Sequence, residues 1–255
     1  MEKLIVSTSP HLRSTTTTQT VMRDVLIALL PATVASVVLF GIKAAFIVLA
    51  CVASAVLSEA LFCIINKRPQ TVGDLSAAVT GLLLALNLPA KTEIWQCVVG
   101  SVFAIVVVKC LFGGLGCNFA NPAATARVFL LICFAGTLGG GMAPTLSAAS
   151  ELVSGATPLA VLKNGGALPS MLDMLLGLRG GAIGEVCGLA IIVGFGYLVI
   201  RRVIHFETPI IFALTVFVLF LIKDNSFVSA TYQLLSGGLL FAAVFMATDY
   251  VTTPI

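Results

Sequence analysis

Charge is what this chain has least of. Only 10% of its 255 residues are Asp, Glu, Lys or Arg, against about 25% in soluble domains. Histidine is almost absent, with His11 and His205 alone, both in polar stretches where they read as ordinary interfacial residues. The first twenty residues are polar and Thr-rich between Ser14 and Thr20. They lack the apolar core of a secretory signal, and none is expected. Cysteine is not scarce, but Cys51, Cys63, Cys97, Cys110, Cys117, Cys133 and Cys187 never form a C-x-x-C. Most sit in apolar blocks, where cysteine is a small buried hydrophobe, so an iron–sulfur or zinc site built by this chain alone is not expected. What abounds is apolar: 59% of residues are hydrophobic, and the mean hydropathy is +1.11. This excludes a disordered chain, a soluble enzyme and a nucleic-acid binder, and leaves a polytopic membrane protein. A net charge of +3 argues no anionic partner and reads first as topology.

The apolar residues fall into eight segments, at 25–40, 44–65, 71–88, 94–112, 123–142, 182–200, 208–222 and 232–248. Their lengths are those a bilayer core demands of helices, and lipid leaves helix as the form that pairs every backbone group. The expected fold is an all-α polytopic membrane protein, its first span gaining a turn from residues before Val25. With the N-terminus in the cytoplasm, Lys3, Arg13, Arg23, Lys67, Arg68, Lys109, Arg127, Arg201 and Arg202 fall inside. Lys43, Lys91, Lys163, Arg179 and Lys223 fall outside. The inside carries more, including both tight pairs, as the positive-inside rule asks. Trp95 and Tyr250 fall near membrane edges, the usual aromatic belt. The long Gly/Ser/Ala-rich connection 143–181 then faces the extracytoplasmic side, and a loop of that length is usually functional or disordered.

Residues 74–89, DLSAAVTGLLLALNLP, are echoed by residues 232–249, YQLLSGGLLFAAVFMATD. With five spans per repeat, the two segments hold the same place in each, and an odd number of spans makes the repeats inverted. The expected organisation is a cytoplasmic segment 1–24, a first repeat 25–142, the extracytoplasmic loop 143–181 and a second repeat 182–255 lacking two helices.

Several residues are candidates for chemistry. In the loop, Thr157-Pro158 reads as an N-cap and first helical residue, and a helix N-terminus also favours a phosphate. Gly113-Gly114-Leu115-Gly116 reads as a turn and equally allows close backbone approach to a ligand, with Asn118, Asn121 and Arg127 as nearby donors. Glu59 lies about six residues inside the second span, while Asp74, Glu185 and Asp249 lie at span ends. Charges at membrane depth are functional by default, although at span ends snorkelling or an ion pair suffices. Glu59, Asp74 and Asp249 are the candidates for cation passage.

Four strings carry a resemblance. They are Ser9-Pro10-His11 with Met22-Arg23-Asp24-Val25 and Ala28-Leu29-Leu30-Pro31; Leu111 to Gly116 with Asn118, Asn121-Pro122-Ala123 and Ala126-Arg127; Ser154-Gly155-Ala156-Thr157-Pro158-Leu159; and Met246 to Tyr250 with Thr252-Thr253-Pro254. In this order they resemble the family of ion-translocating oxidoreductase membrane subunits that holds the D subunit of Rnf complexes and the B subunit of the Na+-translocating NADH:quinone oxidoreductase. The short N-terminal segment is more similar to the Rnf member. One departure is Glu151, where the flavinylation pattern of the family opens with Asp.

The resemblance implies a urea-transporter-like fold of two inverted five-helix repeats. It implies FMN joined by a phosphoester to Thr157, with Ser154, Gly155, Ala156 and Pro158 around it. It implies flavin contact at Gly113, Gly114, Asn118, Asn121 and Arg127, where a non-covalent riboflavin is an open question. The implied activity is that of one component, inactive alone, of an Rnf ferredoxin:NAD+ oxidoreductase that exports Na+ or H+ across the prokaryotic inner membrane. Implied partners are an FMN-bearing G subunit, membrane subunits A and E sharing an iron–sulfur cluster, and peripheral subunits B and C that meet ferredoxin and NAD. A Mg2+-dependent flavin transferase and membrane lipid complete the set, with no nucleic acid. The alternatives are the B subunit of the quinone-reducing pump, a redox-inert channel for a small neutral solute, and a structural anchor.

Overall fold

Backbone groups deprived of water must pair within the chain, and helices satisfy them segment by segment. The computed structural model of the chain describes residues 17–139, 141–142, 154–155 and 170–249. Among these the fold is helical, apart from a two-residue antiparallel pair of Gly141–Met142 with Ser154–Gly155. Helix α1 covers Thr18–Phe40, its first turn capped by the Thr17 hydroxyl, which accepts the Thr20 amide. It thus starts before Val25, as the sequence predicts, and by more than the one turn expected. Gly41, at φ 72, ends α1, and α2 runs over Ile42–Ile65. Both are long and apolar enough to cross a membrane. Their outward faces are apolar, with Leu30, Val34 and Val38 on α1 and Leu49, Leu57 and Leu61 on α2 all more than half exposed. A soluble protein rarely shows so contiguous an apolar surface.

The third predicted span, 71–88, is shorter than the sequence suggests. Helix α3 covers only Ser76–Leu86, about 16 Å at 1.5 Å per residue, and all of it but Ala78 is buried. A 3-10 turn, Val72–Asp74, precedes it, and Leu75 between them takes a left-handed φ of 64. The Asp74 carboxylate captures the Ser76 amide and hydroxyl, offering the backbone a partner other than a helical carbonyl. At the other end Pro89 stops the helix. Helix α4 covers Ile94–Val102 and continues as a π-helix over Phe103–Cys110. Helix α5 covers Pro122–Cys133. The predicted span 123–142 is broken at Phe134, after which the short helix Ala135–Leu138 follows.

The helices that follow are Met171–Leu176, Gly188–Ile200, Glu207–Asp224, Phe227–Leu235 and Leu239–Met246. The predicted span 182–200 starts only at Gly188 because the residues before it bond to the end of α3. The amides of Ile183 and Gly184 donate to the carbonyls of Leu88 and Leu86. The predicted span 232–248 is likewise not one helix. It is bent by 65° between Phe227–Leu235 and Leu239–Met246, at Ser236-Gly237-Gly238, where Gly237 takes φ 64. Among the described residues, two helices cross by length and composition, or three if the bent pair is one span.

Helix α3 sits at the centre, packed on α2, α1 and α5. Its approach to α2 depends on Gly81, whose missing side chain would stand 2.8 Å from the Cys51 carbonyl and 2.9 Å from Ala55 Cβ. Elsewhere, α1 is tied to Gly188–Ile200 by Asp24, which accepts from Tyr197 Oη at 3.3 Å and Arg201 Nη2 at 3.2 Å. Gly81→Val drives a branched side chain into the α2 backbone. A loss of about 1–3 kcal/mol is expected for such overpacking, read as a lowered melting temperature of the purified chain in detergent, with Ala78→Val as the tolerated control.

Candidate functional site

A carboxylate and an ammonium inside an apolar bundle must find each other or remain uncharged. Here Glu59 of α2 and Lys109 of the π-helix meet at 2.7 Å, each side chain 2% exposed. The Lys109 ammonium also donates to Ser76 Oγ at 2.6 Å, at the first residue of α3. Thr71 Oγ1 donates to the same Glu59 oxygen at 2.8 Å, and Ser76 in turn donates to Asp74. One polar network therefore joins α2, the π-helical end of α4, the 3-10 turn and α3. Glu59 Oε2 is buried and has no hydrogen-bond partner among the described residues.

Two backbone irregularities put Lys109 and Ser76 here. The π-helix that carries Lys109 is a rare form, frequently found at functional sites. The left-handed Leu75 sits between Asp74 and Ser76, and such a conformation in a non-glycine residue persists only where its surroundings impose it.

Lys109 and Ser76 face a cavity of about 20 Å³, lined also by Met22, Leu115, Asn118, Asn121 and Asp249. That is room for a water molecule. Asn121 caps α5: its Oδ1 accepts the amides of Ala123 at 3.0 Å and Ala124 at 3.1 Å, with Pro122 at the first helical position. Its amide nitrogen donates to Asp249 Oδ2 at 3.1 Å. A second small cavity, sharing Met22, Val79, Leu83 and Asp249, adds Val244, Phe245 and Thr248. The segments that echo each other in the sequence thus meet at these two cavities.

The sequence candidates divide accordingly. Glu59 and Asp74 share one network, and Asp249 lines the cavity beside it with Asn118 and Asn121. Gly113 and Gly114 take φ of 122 and 95, so they serve the loop that carries Leu115 and Asn118 towards the cavity, and neither lines it. Arg127 lies on α5 with Nη1 buried and without a hydrogen-bond partner among the described residues. Ala156, Thr157 and Pro158 lie outside the described residues, and Ser154 and Gly155 are described only as strand backbone. Two cations that the sequence reading counts as topological markers are buried instead. Lys109 is one. Arg179, 5% exposed, donates to the carbonyls of Val186 and Glu185; burial lowers its pKa, and Glu185 opposes that. Lys109 as the partner of Glu59 is the residue that sequence reasoning missed. The available signal was a lysine inside the apolar run Phe103–Cys110.

A flavin at the cavity can be tested against these residues. Asn118 Oδ1 is buried and has no hydrogen-bond partner among the described residues, as a ligand N–H would require. The volume does not fit: ligand pockets run to about 300–1,000 Å³, and this one has room only for a water-sized molecule.

Comparison with known proteins adds the following. Residues 5–255 match the model of the NQR2, RnfD, RnfE family. The chain is 44% identical to the D subunit of the Na(+)-translocating ferredoxin:NAD(+) oxidoreductase complex of Acetobacterium woodii, over 99% of this chain and 79% of that protein. It is 33% identical to the D subunit of the proton-translocating ferredoxin:NAD(+) oxidoreductase complex of Clostridium ljungdahlii, over 98% and 79%. It is 38% identical to the D subunit of the ion-translocating oxidoreductase complex of Stutzerimonas stutzeri, over 92% and 76%.

The network makes a stability prediction. Glu59→Ala leaves the Lys109 charge buried and alone, which costs about 3–5 kcal/mol. Glu59→Ala combined with Lys109→Met removes both charges and recovers most of that loss. Melting temperatures of the two variants in detergent check this; equal losses would mean that Lys109 does not depend on Glu59.

Proposed function

The chain belongs to the NQR2, RnfD, RnfE family, and on that premise we propose that it is the D subunit of an Rnf-type ferredoxin:NAD+ oxidoreductase, a membrane electron carrier in a redox-driven ion pump. The observation that carries this reading is the 44% identity to such a subunit, extending over 99% of the chain. Partners follow from it: a G subunit with its own FMN, membrane subunits A and E, and peripheral subunits B and C that meet ferredoxin and NAD.

In this reading Thr157 holds FMN through a phosphoester, on the extracytoplasmic side, loaded by a flavin transferase. When bound, the isoalloxazine supplies the one- and two-electron chemistry. The chain's own part is placement. Ser154 and Gly155 pair with Gly141–Met142, which brings the residues just before Thr157 to the end of the first five segments. Riboflavin at Asn118 and Asn121 is a second and separate proposal; it requires the cytoplasmic-end cavity to widen well beyond its present size.

Eight spans in two inverted repeats remain the organisation that best accounts for the echo. Both echoing segments form short helices entered through a left-handed residue, Leu75 in one and Gly237 in the other. Discontinuous helices in matching places of two halves point to a transporter's site. Glu59, Asp74 and Asp249 are the proposed ion-path carboxylates, all near the cytoplasmic end of this topology. The ion itself differs between relatives, one named for Na+ and another for protons.

Co-expression of the full chain with its flavin transferase, followed by a denaturing gel, tests the assignment. In-gel flavin fluorescence is expected from the wild type and is absent from Thr157→Ala. A dark wild-type band, with the transferase active on a control substrate, would sink the FMN assignment and leave Thr157 as a helix cap.

A further inference from the structure

We propose that the cleft between the first turn of α2 and the start of α4 binds the headgroup of an anionic membrane phospholipid. The cleft encloses about 410 Å³, within the range of ligand pockets, about 300–1,000 Å³. It lies at the opposite end of α2 from the Glu59–Lys109 pair. Lys43, Phe46 and Ile47 wall it on one side, and the stretch from Lys91 to Trp95 walls it on the other. Helix α2 is long and apolar enough to cross a membrane, so its first turn stands at a membrane edge. Trp95, 51% exposed, is the residue type that gathers at such an edge.

The charge of the cleft comes first. Lys43 and Lys91 both line it, and among the described residues neither belongs to an ion pair. Lys91 Nζ donates to the Gly139 carbonyl at 3.0 Å. That bond places the ammonium without neutralising it, and leaves it two further donors. The carboxylate in the lining, Glu93, accepts from Trp95 Nε1, so it is turned to the indole and not to a lysine. The start of α2 adds to the same field. Gly41 precedes it without a side-chain cap, and the amides and dipole of an uncapped helix start favour a phosphate.

The apolar part of the lining decides which phosphate. Phe46 and Ile94 are each more than half exposed. From Phe46 onward the exposed side chains of Leu49, Leu57 and Leu61 continue along α2, within one face at 3.6 residues per turn. A free phosphate in water gains nothing from that surface. A phospholipid matches both parts: its headgroup meets the two ammonium groups, and its acyl chains lie along the apolar face. Phosphatidylcholine carries the same phosphate together with a choline cation that the lysines repel. The cleft therefore selects a lipid of net negative charge, of which phosphatidylglycerol is the simplest probe.

The chain holds one tryptophan, and it lines this cleft, so Trp95 is the reporter. The full chain, expressed without its flavin transferase, is reconstituted in phosphatidylcholine vesicles. Its fluorescence is followed as phosphatidylglycerol or phosphatidylcholine, brominated on the acyl chains near the headgroup, replaces ordinary lipid. Bromine quenches the indole only from close by. Brominated phosphatidylglycerol is expected to quench Trp95 at about a tenth of the mole fraction that brominated phosphatidylcholine needs, the effect of two lysines near a membrane surface. Lys43→Gln is expected to cut that preference to about threefold, and Lys43→Gln with Lys91→Gln to abolish it. Lys43 is exposed, so its variant carries the test even where loss of the Lys91 bond to Gly139 impairs folding. Equal quenching by the two lipids overturns the proposal, since Trp95 then reports bulk lipid. A preference that survives Lys43→Gln undiminished overturns it too. So does a preference that millimolar glycerol 3-phosphate in the buffer erases, because the cleft then takes a free phosphate. None of these outcomes depends on flavin at Thr157.

Discussion

An anion and a cation buried in an apolar bundle constrain each other more tightly than any apolar contact can, because neither has a tolerable alternative inside the membrane. The Glu59–Lys109 pair is that constraint here. It fixes the C-terminal half of α2 against the end of α4. Through Ser76 it also fixes where α3 begins. Dispersion forces between Leu-, Ala- and Val-rich helices tolerate sliding and rotation, whereas a 2.7 Å charge contact does not. The pair thus sets the register of three helices whose apolar surfaces alone would leave it loose.

The short α3 can sit among those helices only because its neighbours make room. Gly81 lets it approach the α2 backbone, and Gly184 lets residues 183–184 close over its far end, where an added Cβ would stand 2.4 Å from Leu86 Cβ. With water excluded, the carbonyls at the end of such a helix need partners. The amides of Ile183 and Gly184 supply them. The helix is therefore capped by tertiary structure at one end and by the Asp74–Ser76 turn at the other, which is why 11 residues can remain helical where a lipid-facing span needs about 20.

The sequence makes the long elements legible and hides the short ones, for a physical reason. Lipid-facing helices must be continuous and apolar, so α1 and α2 read directly from hydropathy. A helix buried among protein need be neither long nor continuous. Apolar composition over 71–88 and 232–248 therefore could not reveal that one shrinks to Ser76–Leu86 and the other bends at Ser236-Gly237-Gly238. The Gly-Gly pair hinted at that bend, but glycine is also ordinary in membrane helices. The π-turns of Phe103–Cys110 have no composition of their own that hydropathy could reveal. The candidate site was legible by residue type: Glu59, Asp74, Asp249, Asn118 and Asn121 all stand out as polar groups in or beside apolar runs. Their convergence was not, because the residue that links them, Lys109, looks in sequence like a positive charge at the inner end of a span.

Irregular backbone at membrane depth is tolerated only where protein buries it or a wet cavity accepts its groups. Here the irregularities are not scattered. The turn before α3, the left-handed Leu75, the π-helix and the segment Leu239–Met246 all border the two small cavities or the ion pair beside them. Each carries a cost that a straight helix would avoid, and beside them Glu59 Oε2 has no hydrogen-bond partner among the described residues. A bundle selected only for stability would remove these features one at a time, since an apolar pair of similar volume often replaces a buried ion pair without loss. Their concentration around a single lysine sets this end of the bundle apart from α1 and α2, whose exposed apolar faces belong to long unbroken helices.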